Sequence, residues 1–138
     1  MALQQISVFL ENRAGQLAEI TGVLAEKGID LRALHISETS DYGVLRLIAS
    51  DSEKAAEVLK ADGFLVSLTT VAAVSVPDKP GGLCSLLRLL ADNGIDVSYM
   101  YSVFGQDNGL AHMVFKVRDI DALEQLLAAH GIAPATLL

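Results

Sequence analysis

A tandem repeat constrains the fold of this chain more than any other feature of its sequence. NRAGQL at positions 12–17 recurs as DKPGGL at 78–83, and GIDL at 28–31 recurs as GIDV at 94–97, each 66 positions later. Such self-similarity is the signature of a duplicated structural unit. We therefore expect two similar small domains, residues 1–70 and residues 71–138.

The spacing of other glycines indicates where the two copies differ. Gly43 and Gly109 are also 66 positions apart, whereas Gly63 and Gly131 are 68 apart. This predicts a two-residue insertion in the second copy, between its third strand and its second helix, where a surface connection tolerates added length.

Each copy has the hydrophobic pattern of a small α+β unit. In the first copy Ile6, Val8 and Leu10 alternate as in a strand, and apolar residues at 17–24 recur at helical spacing until Gly28. A β-hairpin, a short helix and a last strand follow, and the second copy repeats this order. The predicted order in each copy is β-α-β-β-α-β, which is typical of ferredoxin-like folds.

The third strands of both copies are apolar at nearly every position. If helices cover one face of the sheet, then Leu45, Leu47, Met113 and Phe115, or their alternates, face water. An exposed apolar patch usually marks an interface. We therefore expect a homodimer or larger assembly through the open sheet face.

Composition excludes several classes of partner and location. The 138 residues are 51% hydrophobic with a net charge of -7, which argues against disorder, a nucleic-acid partner and an anionic membrane surface. No apolar run approaches the ~18 residues of a membrane span, and no signal-peptide pattern opens the sequence. A single cysteine, Cys84, suits a reducing compartment, so we expect a cytoplasmic location.

Two glycine loops, residues 12–17 and 78–83, carry the chemistry of greatest interest. Each is predicted to run from a strand end into a helix N-terminus, where unpaired N–H groups and the helix dipole favour an anion. Glycine lets the backbone approach that anion closely. The alternative is that Asn12 and Asp78 cap their helices and the glycines only make the turn.

The pattern Asn/Asp-x-Pro-Gly-x-Leu, then a helix, then Gly-Ile-Asn/Asp, resembles the ACT domain, and both copies hold it over essentially the whole chain. The resemblance implies two ACT units side by side, which form one eight-stranded antiparallel sheet with four helices on one face. It also implies a regulatory module that binds an amino acid or a similar small metabolite where the units meet.

The resemblance also assigns roles to residues. The loops would hold the ligand's carboxylate by backbone N–H groups and its polar side by Asn12 or Asp78. Acidic residues at the Gly-Ile-Asp position would come from the opposite unit and suit an α-ammonium group, although they could instead cap turns at strand ends. The implied ligand-binding residues are Asn12, Gly15, Gln16, Leu17, Asp30, Asp78, Gly81, Gly82, Leu83 and Asp96.

The first copy departs from the family pattern, because Ala14 stands where the second copy has Pro80. Proline fixes the backbone angle φ. The first loop is therefore expected to be less rigid than the second, with an effect on its occupancy by ligand.

Other reactive residues form no catalytic or metal-binding pattern. We expect Cys84, at the start of a helix, to be a buried packing residue rather than an activated thiolate. His35, His112 and His130 are dispersed, whereas a metal site needs three or four converging ligands. We expect no metal, no cofactor and no catalytic residue.

These features favour a non-catalytic amino-acid sensor over two alternatives. One alternative is an adaptor that docks on a metabolic enzyme or a transcription regulator through its open sheet face, with no ligand. The other is an enzyme on a ferredoxin-like scaffold, for which no nucleophile or acid–base pair can be assembled.

Overall fold

The computed structural model describes residues 2–11, 13–38, 41–105 and 108–135. These residues divide into two compact units. The first, Gln4–Thr69, is called here the N-terminal unit, and the C-terminal unit contains the described residues from Thr70 onward together with those before Gln4.

The N-terminal unit contains antiparallel strands and two helices. Its elements are β1 (Ala2–Glu11), α1 (Gln16–Glu26), β2 (Leu31–Glu38), β3 (Tyr42–Ala49), α2 (Ser52–Ala61) and the start of β4 (Val66–Pro77). The first three strands lie in the order β2-β3-β1. The chain entering β4 lies beside β1, because the Phe9 N–H donates to the Leu65 carbonyl oxygen at 3.0 Å.

The C-terminal unit repeats this plan. Its elements are the rest of β4, then α3 (Gly82–Asp92), β5 (Val97–Ser102), β6 (Leu110–Val117) and α4 (Ile120–Ala129). The strands lie in the order β4-β6-β5 and are antiparallel. After α4 an isolated bridge joins Pro134 to Val74.

The α+β class is confirmed, but eight separate strands are not found. The described residues contain six strands, because the expected last strand of the first copy and first strand of the second are one continuous strand, β4, of 12 residues. Of the expected final strand, the described residues contain only the bridge at Pro134, and residues 136–138 lie outside them. Proline has no N–H to donate to a ladder, which limits pairing at that point.

Each unit has a core between its helices and one face of its strands. In the N-terminal unit alternate strand residues and helix residues four apart share one buried cluster, which includes Ile6, Val8, Leu10, Ile20, Leu24, Leu45, Leu47 and Leu59. The corresponding cluster of the C-terminal unit includes Val74, Val76, Leu86, Leu90, Phe115, Leu123 and Leu127. Burial of each large aliphatic side chain stabilises the fold by about 1.5–3 kcal/mol. None of the helices in the described residues is long and apolar enough to cross a membrane.

The predicted row of exposed apolar residues on the third strands is wrong at most positions, although Val44 and Met113 of this row are half-buried. Leu45 and Leu47 are 1% exposed and Phe115 is 0% exposed, because these side chains face the helices. The alternate residues Ile48 and Val114 are also buried, at 2% and 0%. The third strands therefore give no support to self-association through an open apolar face.

The predicted insertion also lies elsewhere than expected. β5 begins 66 positions after β2, which is also the distance between the two glycine loops. β6, however, begins 68 positions after β3, two more than this distance. α4 is displaced from α2 by the same two positions. The added residues therefore lie between β5 and β6. Gly43 and Gly109 are not equivalent, because Gly43 pairs with Leu10 inside β3, whereas Gly109 precedes β6 with a φ of 78°.

Candidate ligand-binding site

The four helices begin in two different ways. Asp51 caps α2 by accepting a hydrogen bond from the Lys54 N–H at 3.1 Å. Asp119 caps α4 in the same way, from the Ala122 N–H at 3.0 Å. By contrast, α1 and α3 each follow a glycine, and no side chain of the described residues caps them. The N–H groups of their first turns are therefore open to an anion, except the Gly82 N–H of α3, which donates to the Lys79 carbonyl oxygen.

The glycines that precede α1 and α3 have the same left-handed conformation. Gly15 has φ 88° and ψ -9°, and Gly81 has φ 84° and ψ -8°. Residues with a Cβ rarely adopt this conformation. The agreement shows that Ala14 in place of Pro80 leaves the backbone unchanged at the entry to the helix.

A cavity of about 420 Å³ opens at the first loop, and we call it the Gly15 cavity. One wall is formed by residues 13–18, and the other by strand residues that include Leu10, Glu38 and Gly43. The antiparallel register aligns these three across β1, β3 and β2. Because Gly43 has no side chain, the space between Leu10 and Glu38 stays open.

Gln16, the first residue of α1, lines this cavity and carries a buried acceptor atom. The residue is 6% exposed, and its Oε1 accepts no hydrogen bond from the described residues. A buried acceptor without a partner costs about 1–3 kcal/mol. A ligand that brings an N–H or O–H donor to Gln16 would remove that cost.

Charged groups of both signs lie around the Gly15 cavity. The Arg13 guanidinium lies 3.3 Å from Glu19 and 3.8 Å from Glu11, and all three side chains are largely exposed. Exposed ion pairs of this kind contribute little to stability and exchange partners readily. Glu38 lines the wall from the end of β2. The cavity therefore offers a cation and backbone donors together with a carboxylate, as a zwitterion requires.

A second cavity, of about 370 Å³, lies at the other loop, and we call it the Gly81 cavity. Gly82 occupies the repeat position of Gln16, and its N–H donates to the Lys79 carbonyl oxygen at 3.0 Å. A Cβ on Gly82 would collide with the Pro77 carbonyl oxygen. Position 82 therefore accepts no side chain, and the Gly81 cavity has no counterpart of the Gln16 amide.

Not every residue of the predicted set lines a cavity. Gly15, Gln16 and Leu17 line the first, and Gly81 and Gly82 line the second. Asp78 and Leu83 line neither. The Asp78 N–H donates to the Gly109 carbonyl oxygen at 2.8 Å, and Leu83 packs against the C-terminal core. Asn12 lies outside the described residues.

The two aspartates of the Gly-Ile-Asp positions have different surroundings. The Asp30 carboxylate lies 3.3 Å from the Arg32 guanidinium. Within its own unit Asp30 follows α1, whose 11 residues span about 16 Å, so it lies at the end of that helix remote from Gly15. Asp96 is exposed, and Ser98 occupies the repeat position of Arg32. Its carboxylate therefore has no equivalent of the Arg32 guanidinium beside it.

The expected burial of Cys84 is wrong, because the residue is exposed. The buried face of α3 carries Gly82, Leu86 and Leu90, four residues apart, and Cys84 lies between these positions on the solvent side. Among the described residues no group of three or more His, Cys, Asp or Glu side chains could hold a metal ion.

Comparison with known families decides the identity of the fold. The model of the ACT domain pair matches residues 1–130. The chain belongs to the ACT domain family. The resemblance of the chain to the ACT domain family is thereby confirmed.

Solved structures similar to this ACT domain pair include protein BT0572 from Bacteroides thetaiotaomicron. The two share 38% identity with a TM-score of 0.91, over 98% of this chain and 92% of that one. The regulatory subunits of aspartate kinase from Thermus thermophilus and Thermus flavus share the fold. The Thermus thermophilus subunit is 14% identical with a TM-score of 0.66, over 94% of this chain and 96% of that one. The Thermus flavus subunit is 18% identical with a TM-score of 0.64, over 95% of this chain and 94% of that one. No curated protein matches the chain.

Sequence reasoning missed the strand residues of the Gly15 cavity. Ile36, Glu38 and Tyr42 lie far from the loop in sequence and reach it through the pairing of β2 with β3 and of β3 with β1. Arg13 and Lys79, however, occupy the same repeat position. A basic residue at the same position of both loops of this ACT pair is a pattern that could have indicated an anion site from the sequence.

Two glycine substitutions test the packing described for the Gly81 cavity. We expect Gly82→Ala to lower the free energy of unfolding by about 1–3 kcal/mol, because the added Cβ meets the Pro77 carbonyl. Gly22→Ala is the matched control inside α1, where a Cβ meets no atom within 4 Å. It should raise stability by about 0.5–1 kcal/mol. Urea unfolding measures both, and an unchanged midpoint for Gly82→Ala would contradict the geometry.

Proposed function

We propose that this ACT domain pair is a non-catalytic regulatory protein that binds a free amino acid at the Gly15 cavity. The observation that carries the proposal is Gln16, whose buried Oε1 has no hydrogen-bond partner among the described residues and which lines the same cavity as the first turn of α1. An uncapped helix end attracts an anion, and an unpaired acceptor requires a donor. An amino acid supplies both groups in one small molecule.

The charges of the cavity support one orientation of the ligand. Its carboxylate would accept hydrogen bonds from N–H groups at the start of α1, with Arg13 nearby as a counter-charge. Its ammonium would donate to Gln16 Oε1 and to the Glu38 carboxylate, since charge-assisted hydrogen bonds are the stronger ones. Asn12 remains the proposed side-chain partner of the ligand's polar side.

The family resemblance adds a contribution from the opposite ACT unit, so that the ligand lies where units meet. Of the two acidic candidates Asp96 is the better, because Arg32 already neutralises Asp30. The Gly81 loop, with Lys79 in its wall, is proposed as a second and simpler anion site. It would bind an amino acid less tightly, since it lacks the Gln16 amide.

The proposed role of binding is regulation. Ligand held between units would couple occupancy to their arrangement, with a coupling free energy of about 1–3 kcal/mol. The structural relatives from Thermus are regulatory subunits of aspartate kinase, which supports a metabolic enzyme as the partner of this chain. Self-association through a surface other than the third strands is also part of the proposal, and light scattering at micromolar concentration measures it. The ligand-free adaptor is the function that remains if no amino acid binds.

A pair of variants at Gly15 tests the anion site. Asn and Asp have nearly the same shape and both tolerate a left-handed backbone, so Gly15→Asn controls for the strain that either introduces. We expect calorimetry against the proteinogenic amino acids to find a ligand with a binding free energy of about -4 to -8 kcal/mol. Gly15→Asp should bind it at least about tenfold more weakly than Gly15→Asn, because a carboxylate then faces a carboxylate.

The same pair at Gly81 should leave this binding intact. Equal affinities for Gly15→Asp and Gly15→Asn would remove the carboxylate site from the proposal. A full panel without heat or thermal shift would overturn amino-acid binding altogether.

Replacement of Gln16 should separate stability from binding. Gln16→Met keeps an unbranched side chain and removes the unpaired acceptor, so the free energy of unfolding should rise by about 1 kcal/mol. Ligand affinity should fall by up to about tenfold, because one hydrogen bond to the ligand is lost. Gln125→Met makes the same change at an exposed position of α4 and should alter neither quantity. A stable Gln16→Met protein with normal affinity would contradict the assigned role.

Two acidic substitutions locate the partner of the ligand's ammonium. We expect Glu38→Gln to weaken binding about tenfold, through loss of one charge-assisted hydrogen bond. Asp96→Asn should weaken binding as well, and Asp30→Asn should have the smaller effect because of its pair with Arg32. Titration calorimetry measures all three. Unchanged affinity in Asp96→Asn would remove the contribution of the opposite unit and leave the Gly15 cavity in place.

A further inference from the structure

A third cavity, of about 240 Å³, adjoins the Gly15 cavity along the groove between α1 and β2. We call this third cavity the aliphatic groove, and it shares Leu17 and Ala18 with the Gly15 cavity as lining residues. The rest of its wall is formed by Thr21 of α1 and by the strand residues Leu31, Leu34, Leu45 and Leu47.

The aliphatic groove offers no hydrogen-bonding side chain to an occupant. Thr21 is the one residue of its wall with a polar side chain, and its hydroxyl donates within the helix to the carbonyl oxygens of Leu17 and Ala18, at 2.9 and 3.2 Å. The other walls are hydrocarbon. A polar occupant would lose hydrogen bonds to water without replacement, whereas an aliphatic one would gain by leaving water.

The junction between the two cavities is also apolar and faces water. Ile36 lies two residues after Leu34 on β2, on the same face of the strand, and pairs in register with Leu45. Because Ile36 also lines the Gly15 cavity, it continues the groove into that cavity. Ile36 is 41% exposed and Leu17 is 40% exposed. A ligand that extends from one cavity into the other would cover both side chains.

We propose that the aliphatic groove selects the side chain of the bound amino acid, and that the ligand is one with a branched aliphatic side chain of three or four carbons, such as valine, leucine or isoleucine. The inference rests on the proposed function, because the head group of the ligand occupies the Gly15 cavity. The two cavities together have the size of small-molecule pockets, about 300–1,000 Å³. One polar end with both charges and one hydrocarbon end match this class of molecule.

The second copy of the repeat provides an internal comparison. Leu87 occupies the repeat position of Thr21, and Phe115 occupies the position of Leu47 on the equivalent strand. Both replacements are larger, and both side chains pack with the C-terminal core. The groove of the N-terminal unit therefore depends on a small side chain at position 21.

Thr21→Leu tests the inference with a residue that the chain itself uses at the equivalent position. Thr21 is exposed on α1, and leucine has a high helix propensity, so the variant should fold normally. Thr21→Val is the matched control, because it removes the hydroxyl and keeps the volume. Wild-type protein should bind leucine or valine at least about tenfold more tightly than alanine, since each methylene in an apolar pocket discriminates by about that factor. Thr21→Val should retain this preference and Thr21→Leu should reduce it at least fivefold, with alanine affinity unchanged.

Titration calorimetry with alanine, valine and leucine separates the possible failures. If alanine and leucine bind equally to wild-type protein, or if a polar amino acid binds most tightly, the aliphatic groove is wrong and the proposed function stands. If no amino acid binds, both fail. If Thr21→Leu keeps full preference for leucine, the side chain lies elsewhere and this inference is overturned. Affinity for alanine in the variant shows directly that the head-group site is intact.

Discussion

The left-handed glycines before α1 and α3 are the constraint on which the proposed sites depend. α2 and α4 use an aspartate at the same point, and its carboxylate satisfies an N–H that the helix leaves unpaired. Glycine offers no such group, so α1 and α3 each forgo roughly a few tenths of a kcal/mol of capping stabilisation. Apart from the Gly82 N–H, which donates to the Lys79 carbonyl oxygen, the N–H groups of their first turns stay available instead. The aspartate caps on the other two helices show that the chain can close a helix end, and that it leaves open the two that border cavities.

Duplication has given two copies with one backbone and two different sites. The loop conformations agree within a few degrees at Gly15 and Gly81. Side chains differ where they matter to a ligand: Gln16 is replaced by Gly82, and Glu19 by Ser85. The close approach of the Pro77 carbonyl explains why position 82 holds a glycine. The N-terminal unit therefore carries the more elaborate cavity, although its loop is the one that lacks the proline of the family pattern.

The repeat predicted the glycine loops and the helices they begin, because both depend on local residues. It did not predict the fusion of two strands into β4, because the repeat assigns a complete unit to each copy, although residues 66–76 are uniformly suited to a strand and no turn residue interrupts them. The equal spacing of Gly43 and Gly109 misplaced the insertion, because one glycine lies inside a strand and the other in a turn. Ile36 and Glu38 enter the site through antiparallel register, which depends on the pairing of whole strands. The local pattern thus identified one wall of the cavity, and strand pairing supplied the other.

A sensor requires a ligand that interacts more favourably with one arrangement of the protein than with another. The element placed to provide this difference is α1, because both cavities border it, from the glycine before its first turn to Thr21 in its second. A ligand in both cavities would contact α1 on one side and β2 and β3 on the other. Small ligands such as alanine would reach the head-group site alone and leave Leu17 and Ile36 in water. The free energy that fixes α1 against the sheet would therefore grow with the length of the ligand's aliphatic side chain, so selectivity and response would arise from the same contacts.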